Sequence, residues 1–263
     1  MKTTTERFIE HVEEAYEMYG DRLVMVALQG SQNYNLAYEN SDVDTKALIV
    51  PTLEDIVLNR RPISTTHIRA NEEHIDLKDV RLMFQSWRKQ NINFVEILFS
   101  DWVWINPRYE APIRRLIDAS EEIARYNPYV AVKCMKGMAL EKLHALEHPY
   151  PSKKEVLEKF GYDPKQLSHI FRLRNFLDAY IGEESYKDCL LSSNREENIA
   201  VKTGKYSLND ARMIASEICD RITKIADIYC ERVPNEYNEA TDQLMNDILT
   251  EIIKIAIKKE INK

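Results

Sequence analysis

No apolar run in this chain approaches the roughly 20 residues a membrane-spanning helix needs, and the sequence contains no internal repeat or low-complexity tract. The start, MKTTTERFIEHVEE, lacks the continuous apolar core of a secretory signal and has the pattern of an amphipathic helix. Cysteine is sparse: Cys134, Cys189, Cys219 and Cys230 are scattered with no C-x-x-C spacing. That pattern excludes a disulfide framework or a zinc knuckle and points to reduced thiols in a cytoplasmic protein. Positive charge is in deficit too, the net charge being −7. The chain as a whole therefore does not attract nucleic acid, although a local basic cleft stays open to it.

What is present is an ordinary globular composition over 263 residues, 44% hydrophobic and 30% charged, long enough to bury a core. Phe8, Ile9, Val12, Ala15 and Tyr16 fall at helical spacing, and Gly20-Asp21 ends that helix. Arg22 to Leu28 reads as a buried strand and Val43 to Val50 as a second strand ending at Pro51. Two short strands are expected at 65–70 and 74–77, joined by the turn Asn71-Glu72-Glu73. A helix with Val80, Met83, Phe84 and Trp87 on one face follows. After Pro107 the pattern is helical, over about 111–125, 128–147, 164–181, 207–231 and 238–261, with breaks at Pro149-Tyr150-Pro151, Gly161, Gly182 and Pro234. The expected architecture is α/β (α+β): a small mixed sheet with flanking helices in residues 1–110, then a helical bundle in 111–263 that completes the cleft. The lysine-rich C-terminal stretch EIIKIAIKKEINK reads as a surface helix packed on one face.

The chemically informative stretch is LQGSQNYNLAYENSDVDTKALIV, from Leu28 to Val50. Side chains two apart on a strand face the same way, roughly 7 Å along the chain. Asp42 and Asp44 thus converge, while Val43 turns to the opposite face. Paired carboxylates suit magnesium, which takes oxygen ligands and shares them with substrate phosphates. Two such ions roughly 4 Å apart activate an attacking oxygen and steady a leaving one. Gly30 lets backbone approach a phosphate, and Ser31 adds a hydroxyl. A third acid belongs on a neighbouring strand. Asp76, in His74-Ile75-Asp76-Leu77, is the candidate, with Glu72, Glu73 and Asp79 as neighbours that a one-residue slip in register would substitute.

Gly30-Ser31 followed by Asp42-Val43-Asp44 between apolar flanks resembles the signature of the DNA polymerase beta nucleotidyltransferase superfamily. GSQNYNLAYENSDVDTKALIVP is more closely similar to its bacterial and phage "predicted nucleotidyltransferase" branch, associated with RNA repair. The likeness continues through IDLKDVRLMFQSWRKQNINFVEILFSD and fades in the helical half, where LSHIFR and Lys202-Thr203-Gly204 are faint echoes. The resemblance implies a mixed sheet of four or five strands and transfer of a nucleoside monophosphate from a nucleoside triphosphate. Gly30 and Ser31 would hold the triphosphate, and Asp42, Asp44 and Asp76 would hold two Mg2+ (or Mn2+) ions, Asp76 binding the ion nearest the acceptor or taking its proton. The acceptor implied is RNA or tRNA; a protein hydroxyl, a small molecule, or a non-catalytic nucleotide-binding module are the alternatives. No membrane partner is expected. One departure is that Asn35 follows Tyr34 where close members tend to carry a glycine soon after the aromatic; asparagine tolerates left-handed backbone.

Other residues admit more than one reading. Lys46 shares the face of Asp42 and Asp44, to pair with those acids, to touch phosphate or to line the edge of the cleft. His169 and Arg172 share a helical face, to close over base or phosphates or simply to line an exposed helix; Arg172 joins the phosphate-binding candidates. His144 and His148 have metal-compatible spacing but no companion acid, so a solvated helix face is expected. Lys133 and Lys136 with Tyr126 and Tyr129, and Lys202, Lys205 and Tyr206 around Gly204, are common helix and loop chemistry with a weak nucleic-acid or substrate reading. Trp87, Trp102 and Trp104 are expected in the core or at the domain boundary.

Overall fold

The computed structural model describes residues 2–38, 41–148 and 154–261. The expected break at Pro149-Tyr150-Pro151, Glu39 and Asn40 of the quoted motif, and Asn262-Lys263 of the C-terminal stretch lie outside the described residues. The chain is mixed α/β: α1 (Thr4–Tyr19), β1 (Leu23–Gln29), β2 (Asp44–Ile49), α2 (Leu53–Val57), β3 (Ser64–Ile68), β4 (His74–Asp79), α3 (Val80–Arg88), α4 (Ile92–Val95), β5 (Val103–Ile105), α5 (Glu110–Asp118), α6 (Ser120–Ala124), α7 (Pro128–Glu147), α8 (Lys154–Phe160), α9 (Pro164–Ile181), α10 (Tyr186–Leu190), α11 (Arg195–Lys202), α12 (Leu208–Arg232) and α13 (Glu239–Ile261). Among the described residues no helix is long and apolar enough to cross a membrane.

Two compact units result. The first joins Met1–Asn33, Ala37–Tyr126 and Tyr237–Lys263; the second joins Tyr34–Leu36 to Asn127–Glu236. The sheet-bearing unit thus takes in α5, α6 and the last helix, α13, all of which follow residue 110, where the sequence reading sets its domain boundary.

In the first unit a five-stranded sheet runs in the order β3-β4-β2-β1-β5. β1 pairs antiparallel with β2 and β5, β4 pairs parallel with β2, and β3 is antiparallel to β4. The strand pattern decides what each face carries. Val43, Ala47 and Ile49 share one face with Val26, Leu28, Ile75 and Leu77, and Phe8, Val12 and Ala15 of α1 pack on it. Each such fully buried aliphatic side chain contributes roughly 1.5–3 kcal/mol, so this layer fixes the register of β2. A Thr3–Glu6 capping box starts α1.

The opposite side is covered by α3, whose Val80, Met83, Phe84 and Trp87 are buried at the expected helical spacing. Trp87 is fully enclosed and donates its indole N–H to the Phe94 carbonyl at 2.9 Å. Trp102 and Trp104 pack against the edge of the α1 layer. The last helix, α13, lies on α3 and α5 through Met245, Ile248, Ile252 and Ala256, with Arg88–Asp242 and Arg115–Glu251 ion pairs along its side.

The second unit is built around α9, which packs on α7, α10, α11 and α12. Leu167, Ile170, Phe171, Leu173, Phe176, Leu177 and Tyr180 bury apolar side chains over most of the circumference of α9, while Lys165 and Asp178 stay exposed. Asp163 caps its N-terminus with Pro164 in the first turn, and Gly182 ends it. His144 and His148 stack at 4.7 Å on the exposed end of α7.

Candidate active site

The end of the sheet formed by the C-terminus of β1 and the N-termini of β2 and β4 gathers the residues singled out in the sequence. Gln29, the last residue of β1, pairs with Asp44, the first of β2. Gly30-Ser31 turns away immediately after Gln29 in a short 3-10 helix. Gly30 has φ +86°, a left-handed value that a side chain rarely adopts. Asn35 likewise takes φ +56°, so asparagine does accept the left-handed turn after Tyr34.

Asp42 is exposed just before β2, and Asp44 is half-buried. Val43 between them is fully buried, as strand alternation requires. Asp44 Oδ1 accepts the His74 N–H at 2.9 Å. One strand over, Asp76 pairs in register with Lys46. Its Oδ2 accepts from Lys46 Nζ at 3.1 Å and Gln29 Nε2 at 2.9 Å, and its Oδ1 from Thr66 at 2.7 Å. Burial pushes the Asp76 carboxyl up, but the Lys46 charge and these three hydrogen bonds outweigh it and hold the group below the usual carboxylate range.

Lys46 is 5% exposed. It also donates to Gln29 Oε1 and, with Lys78, lies over the Phe94 ring, the two ammonium groups at 4.9 and 4.5 Å from its centroid. Burial, then the neighbouring Lys46, lower the Lys78 pKa. These side chains, with Ser64 and Thr66, line a cavity of about 200 Å³. The acid that Lys46 pairs with is Asp76 of the neighbouring strand, where the sequence pointed to Asp42 and Asp44.

Two carboxylates hold the site in place: Glu96, which the sequence left unassigned, and Glu73, which it offered only as a substitute for Asp76. Glu96 is 2% exposed and accepts the Gly30 N–H at 3.0 Å and the Asn33 side chain at 3.3 Å. The Gly30 N–H therefore anchors the turn. Glu73 is 1% exposed and accepts from Arg7, from Arg69 at 3.0 Å, from Asn71 at 2.7 Å and from the Val43 N–H at 3.1 Å. His11 bridges it to β2, with Nε2 3.0 Å from Glu73 and Nδ1 3.0 Å from the Thr45 hydroxyl. The sequence clue to Glu96 was an acid among apolar residues, Phe94-Val95-Glu96-Ile97, whereas Glu73 stands among polar neighbours in the expected turn.

The donor set suits a hard cation. Asp42 and Asp44 offer only oxygen, and the imidazole beside them, His74, has its Nδ1 4.0 Å from Asp44 Oδ1. Among the described residues no group of three or more His, Cys, Asp or Glu side chains is gathered to hold an ion. A cation at Asp42 and Asp44 would therefore take its remaining ligands from water and substrate, the usual situation of Mg2+.

Arg172 belongs to the second unit. Its guanidinium stacks on the Tyr34 ring, Cζ to centroid 3.8 Å, and it is 7% exposed, contrary to the exposed-helix reading. His169, one turn earlier, is half-buried. No family model matches the chain, and no curated protein matches it.

Proposed function

We propose that the chain is a nucleotidyltransferase that moves a nucleoside monophosphate from a nucleoside triphosphate to an acceptor hydroxyl, with Mg2+ or Mn2+ as cofactor. The observation that carries this reading is the strand register: Gly30-Ser31, Asp44 and Asp76 meet at one end of three adjacent strands. Phosphate-facing turn and carboxylates must lie side by side for this transfer.

Asp42 and Asp44 would hold the divalent ion, which supplies positive charge to the triphosphate oxygens and acidifies the attacking hydroxyl. Ser31 and the N–H groups of its turn contact the triphosphate. The acceptor oxygen forms a bond to the α-phosphorus, the bond to the bridging oxygen breaks, and pyrophosphate leaves with that electron pair while the hydroxyl proton passes to water. A carboxyl held below its usual range is a poor proton acceptor, so Asp76 acts through its charge. Lys46 keeps it ionised, and a second ion at Asp76 requires Lys46 and Gln29 to release that carboxylate. The acceptor proposed is an RNA 3′ hydroxyl, in line with the resemblance to the RNA-repair branch.

Incubation with each labelled triphosphate, Mg2+ or Mn2+, and total cell RNA or protein is the test. Label in RNA supports the whole reading, and label in protein moves the acceptor. The double variant Asp42→Asn, Asp44→Asn, with its fold checked by circular dichroism, is expected to transfer nothing; undiminished labelling would overturn the assignment. The second reading, a non-catalytic nucleotide-binding module, draws on the Lys46–Asp76 pair, which occupies the third carboxylate. Metal-dependent binding with no turnover on any acceptor would favour it.

A further inference from the structure

Arg172 carries buried donors that no described residue accepts. It sits on α9, the helix that α7, α10, α11 and α12 surround, so its side chain is 7% exposed. The Tyr34 ring covers one face of the guanidinium plane. A ring face attracts the charge but satisfies none of the in-plane N–H groups. Among the described residues the Arg172 Nε and Nη1, both buried, have no hydrogen-bond partner. Leaving a charged donor unpaired in the interior is costly, so an acceptor from outside the chain is called for.

The surrounding charge gives the sign of that acceptor. The strongest charges bearing on His169 are all positive: Arg172, Lys165, Lys142 and Lys202. Burial first, and then those charges, hold the His169 imidazole well below its ordinary range, so the ring is neutral and available as a hydrogen-bond partner. Lys142 is already paired with Glu141, so the place where an anion with several acceptor oxygens is called for is the Arg172 guanidinium. The burial of Arg172 limits its shape: the narrow end of a molecule suits so enclosed a guanidinium better than a continuous phosphodiester chain does.

We propose that the helical unit binds a terminal phosphate group at Arg172, with Tyr34 backing the guanidinium and Lys142, Lys165 and Lys202 supplying the surrounding positive field. Two sources share this chemistry, the polyphosphate tail of a free nucleotide and the terminal phosphate of a polynucleotide. The site stands on residues apart from Asp42, Asp44 and Asp76, so it deepens the nucleotide reading without depending on those carboxylates.

The test uses the full chain in EDTA, which removes any contribution from a metal at the aspartates. Inorganic tripolyphosphate, a 5′-phosphorylated oligonucleotide and its 5′-hydroxyl counterpart are titrated calorimetrically. Wild type and the Asp42→Asn, Asp44→Asn variant are expected to bind tripolyphosphate alike, and Arg172→Met about tenfold or more weakly. Binding of tripolyphosphate alone assigns the site to free nucleotide. Additional binding of the phosphorylated oligonucleotide assigns it to polynucleotide ends. No saturable binding by wild type, equal binding by Arg172→Met, or equal binding of both oligonucleotides overturns the proposal. Should Arg172→Met fail to fold, the Arg172 Nε–H resonance, assigned with Arg172→Lys, decides the matter in wild type: it shifts with tripolyphosphate if the site exists and stays fixed if it does not.

Discussion

The Glu73 carboxylate accepts the backbone N–H of Val43 at 3.1 Å, so a buried acid at the start of one strand fixes the peptide between Asp42 and Asp44 at the start of another. Both aspartates inherit their direction from that peptide. Arg7, Arg69 and His11 converge on the same carboxylate, which makes it the electrostatic centre of the α1 face.

Glu73→Ala is expected to cost about 3–5 kcal/mol, because it strands the Arg7 and Arg69 charges against a buried gap. Urea unfolding measures this. Glu73→Gln keeps the shape and the acceptor for Val43 and removes only the charge, so its loss is expected to be smaller. Equal losses in the two variants would show that charge, not packing, is what Glu73 contributes.

His11 makes folding sensitive to pH. Burial, then the Arg69 charge, with Arg7 adding to it against Glu14 and Glu10, lowers its pKa to about 4. The unfolded chain takes up this proton near pH 6.5 and the folded chain only near 4. The contribution is therefore complete above about 6.5 and drains away as pH falls to about 4, a total of about 3 kcal/mol. Stability measured across this window is expected to have a shallower slope in His11→Asn than in wild type. Equal slopes would show that another group titrates.

Lys46→Met removes the largest influence lowering the Asp76 pKa and leaves the burial that raises it. The Asp76 carboxyl is expected to titrate at higher pH, read directly by carboxylate carbon NMR. The acid limb of nucleotide transfer should move upward with it. An unmoved limb, with the carboxyl shifted, would remove Asp76 from the reaction.

Gly30→Ala meets nothing within 4 Å of the added carbon, so its cost is the left-handed backbone alone, roughly 1–2 kcal/mol. Asn35→Gly, at another left-handed position, is expected to be close to neutral in the same denaturation assay. A larger loss for Asn35→Gly would mean that the asparagine side chain itself supports the loop.

Local patterning made much of this architecture legible. Alternation in Val43 to Ile49 separates the α1 face from the face of Asp44 and Lys46, and the spacing of Val80, Met83, Phe84 and Trp87 announces α3. The seven helical stretches read from the sequence match elements, 111–125 as the two helices α5 and α6, because capping residues and glycines punctuate most of them. Pairing between distant segments left weaker traces. Nothing near Lys46 states that β4 lies parallel to β2 and brings Asp76 to it. Glu73 and Glu96 look like ordinary polar residues because their donors come from other elements. β5 is three residues long, too short for a periodicity, and the apolar stripe of α13 does not name the helices it covers.

The sheet-bearing unit is discontinuous in sequence, and that sets an order of events during synthesis. Its parts up to Tyr126 leave the ribosome with the faces of α3 and α5 uncovered, since α13 has not yet been made. The whole stretch Asn127–Glu236 comes first, which at roughly 5–20 residues per second means a wait on the order of 5–20 s. The helical unit, continuous apart from Tyr34–Leu36, is able to fold during that interval. A nascent chain stalled before Tyr237 should therefore present a folded helical unit and an unfinished sheet unit, the state most in need of a chaperone.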